Sequence, residues 1–401
     1  MKILMINSVF GIRSTGRICS DLVNELEKNG HEVKVGYGRC IVPKEIKHKA
    51  IKISSKLSVL FHAFIARIFD CDGFGSYFCT KKFLNKVKKF NPSLIILHNL
   101  HGYYINVPLL IKYINNYQKK VLFVLHDFWP FTGHSGLCDQ ISCEKWKEEC
   151  YDCKLKKLYP KSFFDFSTRN YHLKMKMYNS INNIHSISPS YWLKEKFKES
   201  FLSKKEITVI PNGIDDSKFF YCSSNFKTKL NLTNKIILLG CQSSWNQSKG
   251  LNDFLFLSKN LKENFVIILV GLTKKQIKKM PSNIICFERT NDVKKLVELY
   301  SAADVFLNLS YVDVFSMVNR EALMCGTPVI TYNTGGCSEC LNGKNGLSFL
   351  KGDAKGILDF LNNDYNKNLF DLSSKVEKNH DLFTIHKMNQ YYIKIINDFF
   401  D

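Results

Sequence analysis

KILMINSVFGIRSTGRICSDLVNELEKNGHEVKVGYG, residues 2–38, decides the fold class. KILMIN is a short apolar run that reads as a buried strand, and a loop carrying Gly11 and Gly16 follows it. Ile18, Leu22, Val23 and Leu26 then recur at helical spacing, and Gly30 supplies the helix C-cap. HEVKVGYG alternates like a second strand. Two strands joined by a helix pair in parallel, so the chain opens on one βαβ unit of an α/β protein.

Working outward, LIILHN (94–99) and VLFVLHD (121–127) read as further buried strands. Both reach a histidine at the carboxyl end, where an open α/β sheet holds its ligands. A second series begins after ITVIPNGID (207–215), with strands KIILLG (235–240), FVIILVG (265–271), NIICFE (283–288), VFLNLS (305–310) and PVITYN (328–333). Helices are expected from about Leu251, over VKKLVELYSAA and around Arg320 to Met324. Two Rossmann-like domains are therefore expected, 1–210 and 211–383, facing each other across a cleft between the carboxyl ends of their sheets. Residues 384–401 read as a final helix that crosses back to the first domain, and the first domain carries a cysteine-rich insertion at about 134–153.

The composition agrees with a folded protein of this size: 401 residues, 45% hydrophobic and 23% charged, which excludes disordered and collagen-like classes. The longest near-apolar stretch, Val59 to Phe69, holds His62 and Arg67 and falls short of the roughly 20 residues a membrane-spanning helix needs. The amino terminus lacks a small-residue cleavage site, and fourteen cysteines are scattered along the chain, so a cytoplasmic location with reduced thiols is expected. The net charge of +21 is uneven: residues 1–215 hold 34 Lys and Arg against 18 Asp and Glu, and the remainder 23 against 18. Such an excess favours anionic partners, although 50 of the 57 basic residues are lysine in an Asn- and Ile-rich chain, a mark of coding bias. No nucleic-acid-binding module accompanies the charge, and no nucleic-acid partner is expected.

Four stretches carry candidate chemistry. GIRSTGR (11–17) offers backbone amides and a helix start to an anion, or is simply a tight turn. Arg17 and Ile18 stand where a nucleotide-triphosphate loop needs Lys and Ser or Thr. In the second half, Asp313 lies in the loop after VFLNLS, and the amides from Ser316 to Val318 open a short helix that holds Glu321 about one turn in. Cys138, Cys143, Cys150 and Cys153, with His134 before them, fit either a structural zinc site or free thiols. KKFLNKVKKF (81–90) gathers Phe83, Leu84, Val87 and Phe90 on one face among five lysines. It reads as a helix packed on the sheet, or as one resting on an anionic membrane.

The chain resembles the family 4 retaining glycosyltransferases, nucleotide-sugar enzymes of the GT-B fold. The motifs are STGR (14–17), LHNLHGYY (97–104), LHDFWPFTGH (125–134), SPSYWL (188–193), VIPNGID (209–215), SKG (248–250), LYSAADVFLN (299–308) and DVFSMVNREALMCGTPVITYNTGG (313–336). It is most similar to the members that build bacterial cell-surface polysaccharides, colanic-acid-type enzymes included. The resemblance implies a hexosyltransferase that takes a nucleoside-diphosphate sugar donor and a glycan or lipid-linked glycan acceptor, at the inner face of the plasma membrane, with no cofactor required for the chemistry.

By position, Asp313 and Glu321 fall on the family's paired acids, the first toward the donor sugar and the second toward the ribose. Asp stands where the family has Glu. Lys249 matches the lysine that neutralises the diphosphate, but the arginine usually near it is replaced by Gln247 and Ser248. His126 falls near the transferred sugar and Gly16 near the phosphates. Phe315, Ser316, Met317 and Val318 line the donor site, and Arg289 flanks the nucleobase or is an exposed loop arginine. His98 and His101 receive no role. Two rival readings of the same residues are a nucleotide-sugar-binding partner without activity and a nucleotide-sugar 2-epimerase on the same fold.

Overall fold

Ile3, Leu4, Met5 and Ile6 are wholly buried because their strand has a hydrogen-bonded neighbour on each side and helices over its faces. The computed structural model describes residues 1–290, 292–365 and 384–400 and divides the chain into two units. The first comprises 1–210 with 391–401, and the second 211–390. The boundary expected after 383 falls beside residues outside those described.

The sheet of the first unit consists of β1 (Lys2–Asn7), β2 (Glu32–Tyr37), β3 (Ala50–Lys52), β4 (Leu94–Leu97), β5 (Lys120–Val124), β6 (Ile184–Ser188) and β7 (Glu206–Val209). All pairs are parallel, in the order β3-β2-β1-β4-β5-β6-β7. Its helices are α1 (Arg13–Lys28), α2 (Lys56–Phe69), α3 (Tyr77–Phe90), α4 (Val107–Asn116), α5 (Ser167–Asn179) and α6 (Tyr191–Lys198). α1 buries the expected Ile18, Leu22, Val23 and Leu26, but it begins at Arg13, so Gly16 lies inside its first turn and not in the loop before it. α3 buries Phe83, Leu84 and Val87 while its five lysines stay exposed, so the apolar face of this helix serves the core.

The second unit repeats the plan with β8 (Ile236–Cys241), β9 (Phe265–Leu272), β10 (Ile284–Glu288), β11 (Val305–Asn308), β12 (Val329–Tyr332) and β13 (Gly346–Phe349). The order is β10-β9-β8-β11-β12-β13, again all parallel. Its helices are α7 (Phe226–Lys229), α8 (Leu251–Asn260), α9 (Lys274–Ile277), α10 (Val293–Ala302), α11 (Met317–Met324) and α12 (Ala354–Asp359). α11 starts at Met317, within the stretch from Ser316 to Val318 expected to open it, and the Ser316 hydroxyl caps it. Both sheets reverse their winding direction once, between β1 and β4 and between β8 and β11, and a doubly wound sheet binds ligands at such a switch point.

A last helix, α13 (Ile385–Phe400), starts in the second unit, where the Ile385 amide donates to Ile214 O at 3.0 Å. It ends in the first, where Lys120 Nζ donates to Phe399 O at 2.6 Å and lies 4.3 Å from the Phe400 ring centroid. Among the described residues no helix is long and apolar enough to cross a membrane.

Candidate active site

At the switch point of the second sheet, the turn after β8 is locked against the loop after β11. Gly250 has φ +72, and a Cβ there would meet Leu309 O at 2.2 Å, so only glycine lets the two backbones approach this closely. The Tyr311 amide donates to Ser248 O at 2.9 Å. This places Lys249 Nζ 3.2 Å from Asp313 Oδ2 and 3.4 Å from Val312 O, with both side chains about a quarter exposed, at 25% and 22%.

The start of α11 is held by a buried polar network. Asn308, at the end of β11, donates both amide hydrogens, to Ser316 Oγ at 2.9 Å and to Asn319 Oδ1 at 2.8 Å. Asn308 Oδ1 accepts from Ser310 Oγ at 2.6 Å and Gln242 Nε2 at 3.4 Å, which ties in the end of β8. Ser316 Oγ accepts the Asn319 amide at 3.3 Å, and Asn319 Nδ2 donates to Cys337 O at 2.9 Å. The Arg320 guanidinium stacks 3.5 Å over the Phe315 ring and donates to Ser316 O at 3.1 Å. Met317 and Val318 follow at the positive end of the helix, where backbone amides have no partner within the helix. One turn on, Glu321 Oε2 accepts the Tyr300 hydroxyl at 3.0 Å. The TGG loop closes the far side: Gly335 has φ +55, and a Cβ there would fall 1.7 Å from Asp313 O.

Lys249, Asp313, Phe315, Ser316, Met317 and Val318 are thus brought together, with Glu321 on the same helix. Arg289 is not part of the cluster; it is exposed at the end of β10, an edge strand separated from β8 by β9. Sequence reading passed over Tyr300, Asn308 and Arg320, although all three lie inside motifs quoted for the resemblance.

The first unit builds a histidine cluster after β4 and β5. His98 Nδ1 lies 3.1 Å from His126 Nε2, with the rings stacked at 5.4 Å. His98 Nε2 is buried without a hydrogen-bond partner among the described residues. His101 Nε2 meets Asp127 Oδ2 at 2.9 Å and its Nδ1 meets the Tyr159 hydroxyl at 3.2 Å. Burial, partly offset by the Asp127 charge, brings the His126 pKa down to about 4, and burial with His126 nearby holds His98 well below its ordinary value. For His101, burial is outweighed by the charge and hydrogen bond of Asp127, and its pKa is raised. Near β1, Gly11 N donates to Gly16 O at 2.9 Å, and α1 starts with no side-chain cap and no acid in its first turn, leaving that end open to an anion.

The insertion at 134–153 is anchored by Trp146, packed 5.4 Å from both Phe128 and Phe131. Cys138, Cys143, Cys150 and Cys153 line one cavity of about 270 Å³ together with His134, whose Nδ1 meets Asp70 Oδ1 at 2.5 Å. Among the described residues no three His, Cys, Asp or Glu side chains are arranged to hold a metal ion. Burial raises the Cys150 thiol to about 11 and Cys153 to about 12, so in this arrangement both are neutral thiols near pH 7.

Two outcomes follow from this geometry. Gly335→Ala forces a left-handed conformation and a clash with Asp313 O, whereas Gly343→Ala, at φ +79 with nothing within 4 Å, carries only the first cost. Thermal melting should therefore show the larger drop for Gly335→Ala, by about 2–10 °C for a strain of about 1–3 kcal/mol. The second concerns pH. His98 and His126 have lowered folded pKa values, so their contribution is present above the unfolded value of about 6.5 and is lost as pH falls toward about 4. His101 is raised, so its contribution is full below about 6.5 and is lost only as pH rises through the folded value. Between pH 6.5 and 5 His98 and His126 share the acid loss with His62 and His31, whose pKa values burial also lowers, and His126→Gln should remove its own share, flattening stability against pH by up to about 1.4 kcal/mol per pH unit in denaturant melts.

Comparison with known proteins converges on one family. The profile described as Glycosyltransferase Family 4 matches residues 15–218, and that described as Glycosyl transferases group 1 matches residues 223–388. A protein of Escherichia coli strain K12 named for colanic acid biosynthesis, the glycosyl transferase WcaC, is 23% identical over 318 residues, covering 76% of this chain and 74% of its own. Sucrose-phosphate synthase from Thermosynechococcus elongatus shares the fold with a TM-score of 0.71 at 15% identity, covering 100% and 99% of the two chains. Anabaena HepE, solved in complex with UDP, gives 0.68 at 16% identity over 99% and 100%. This chain belongs to the family 4 glycosyltransferases and has the GT-B fold.

Proposed function

We propose that the protein is a retaining, metal-independent hexosyltransferase that moves a sugar from a nucleoside-diphosphate donor to a glycan or lipid-linked glycan during bacterial surface polysaccharide synthesis. The observation that carries the reading is the position of Lys249 and Asp313 at the switch point, beside the amino-terminal end of α11. Two features favour a diphosphate there: a cation and the positive end of a helix, both fixed before the ligand arrives. The name of the Escherichia coli relative supports the polysaccharide class, and the neighbour solved with UDP supports a uridine nucleotide as the first donor to try.

In the proposed reaction the bond from the anomeric carbon to the diphosphate oxygen breaks, and the acceptor hydroxyl oxygen bonds to the same face of that carbon. The hydroxyl proton passes to the departing phosphate oxygen. Negative charge grows on the diphosphate as the bond lengthens, and Lys249 with the α11 amides stabilises it without a metal. Lys249 is paired with Asp313 before the donor binds, so its charge is compensated until phosphate competes for it. Asp313 then orients sugar hydroxyls, one methylene further back than a glutamate. Glu321, steadied by Tyr300, accepts from the ribose hydroxyls. In the first unit, neutral His126 offers its imidazole to a sugar hydroxyl, and the uncapped first turn of α1, with Gly16, offers backbone amides to an anionic group.

A thermal-shift panel of nucleotide sugars with the purified chain, starting with UDP-glucose, should single out one donor by a rise in melting temperature. No shift with any nucleotide sugar would reject the reading. Glu321→Ala should cut transfer with that donor by about 10- to 150-fold, the worth of a charged hydrogen bond. Lys249→Ala should lower turnover by about 10²–10³-fold, as loss of a preorganised charge does. Transfer should persist after chelation and dialysis; loss of turnover in a protein that stays folded would refute the metal-free part.

A further inference from the structure

α2 is nearly unused by the core. Of its fourteen residues only His62 and Ala66 are buried. Leu57, Leu60, Phe61 and Phe64, spaced i, i+3, i+4 and i+7 on one face, are 79%, 57%, 66% and 61% exposed. The first turn of α3 lies alongside, since His62 Nδ1 meets Ser76 Oγ at 2.9 Å and the Cys79 thiol bonds Ser55 and Ser58; there Phe78 is 82% exposed. At the other end of α2 the Phe163 amide donates to Arg67 O at 2.6 Å, and the Phe163 ring is 71% exposed. Single exposed apolar residues are ordinary, but a continuous surface of large ones marks a contact.

The charge around this surface identifies the contact. Residues 46–90 hold ten Lys and Arg and only two acids, Asp70 and Asp72, both of which are buried. Asp70 is bound to His134, and Asp72 to the amides of Gly102 and Tyr103. Within 46–90 the exposed charges are therefore all cationic, with Lys56 and Arg67 on α2 and Lys81 and Lys82 on α3, Lys82 being close enough to act on Cys79, while Asp165, near Phe163, is half-buried and accepts from the amides of Cys153 and Ser167.

We propose that the α2 face, with Phe78 and Phe163, lies on a bilayer surface rich in anionic headgroups. Phenylalanine and leucine rings and chains enter the acyl boundary while the lysines pair with headgroup phosphates. A second copy of the chain fits less well, because a two-fold contact through this face brings two lysine rims together with no exposed acid from 46–90 to answer them. The surface differs from the apolar face of α3, which is buried. The contact confines the enzyme to a plane, which suits an acceptor carried on a lipid.

Vesicle co-sedimentation tests this without any donor, so its outcome is independent of the sugar-transfer reading. The full chain should sediment with vesicles containing phosphatidylglycerol and stay in solution with pure phosphatidylcholine. Phe61→Ser with Phe64→Ser should weaken partitioning by at least about tenfold. Lys81→Gln with Lys82→Gln should weaken it by about thirtyfold, roughly 1 kcal/mol per lysine. Both variants should melt at the wild-type temperature. Equal sedimentation with the two lipids, or variants that partition like wild type, would overturn the proposal. So would a concentration-dependent dimer that the phenylalanine changes abolish while vesicles retain nothing.

Discussion

The side chain of Asn308 is the constraint on which the geometry around Lys249, Asp313 and the start of α11 depends. It stands at the end of β11, fully buried, and spends its two hydrogens on the cap of α11 and on Asn319 while its oxygen is shared by Ser310 and Gln242. A buried amide with unmet partners is costly, so the strand ends and the helix start hold a single mutual position or lose the network as a whole. Lys249 and Asp313 inherit that rigidity. Neither is fixed by its own packing, since both side chains are partly exposed, but each hangs from backbone that the network and the glycine contacts at Gly250 and Gly335 have placed.

The first unit solves a different problem. Burial drives the imidazoles of His98 and His126 to the neutral state, while the neighbouring His101 is pulled toward the charged state by Asp127. Within one cluster the chain thus keeps a neutral donor-acceptor group next to a hydrogen-bonded histidine–carboxylate pair. Neutral imidazole is both a hydrogen-bond donor and an acceptor, the chemistry that hydroxyl groups match.

Much of the architecture was legible because parallel strands buried on both faces leave near-continuous apolar runs, and both Rossmann-like sheets announce themselves that way. The loops after β8 and β11 were legible through motifs, which carry Lys249, Asp313 and Ser316 in the right order. What the linear pattern hid is three-dimensional. Nothing in the spacing of Lys249 and Asp313 says that they pair, because the contact is made by a glycine-permitted approach of two loops. Arg289 lies at a strand end like the others, but on an edge strand, and strand order is not written in periodicity. α3 follows one of its two readings, a helix packed on the sheet, with Phe83, Leu84 and Val87 buried, whereas the run from Val59 to Phe69, read only as too short to span a membrane, lies in the largely exposed α2. Which apolar stripe a fold consumes is decided by the partner surface, not by the stripe.

The course of α13 bears on how the molecule is made. Its final residues complete the first unit: Tyr392 and Ile396 are buried, Tyr392 close enough to Cys19 of α1 to be influenced by it, and Phe399 and Phe400 cover Lys120. A ribosome that has finished residue 210 has therefore not yet delivered everything that unit needs. At about 5–20 residues per second, the missing piece arrives on the order of ten to forty seconds later. Until then the nascent amino-terminal half waits with an uncovered apolar seam, and its maturation is timed by the synthesis of its neighbour.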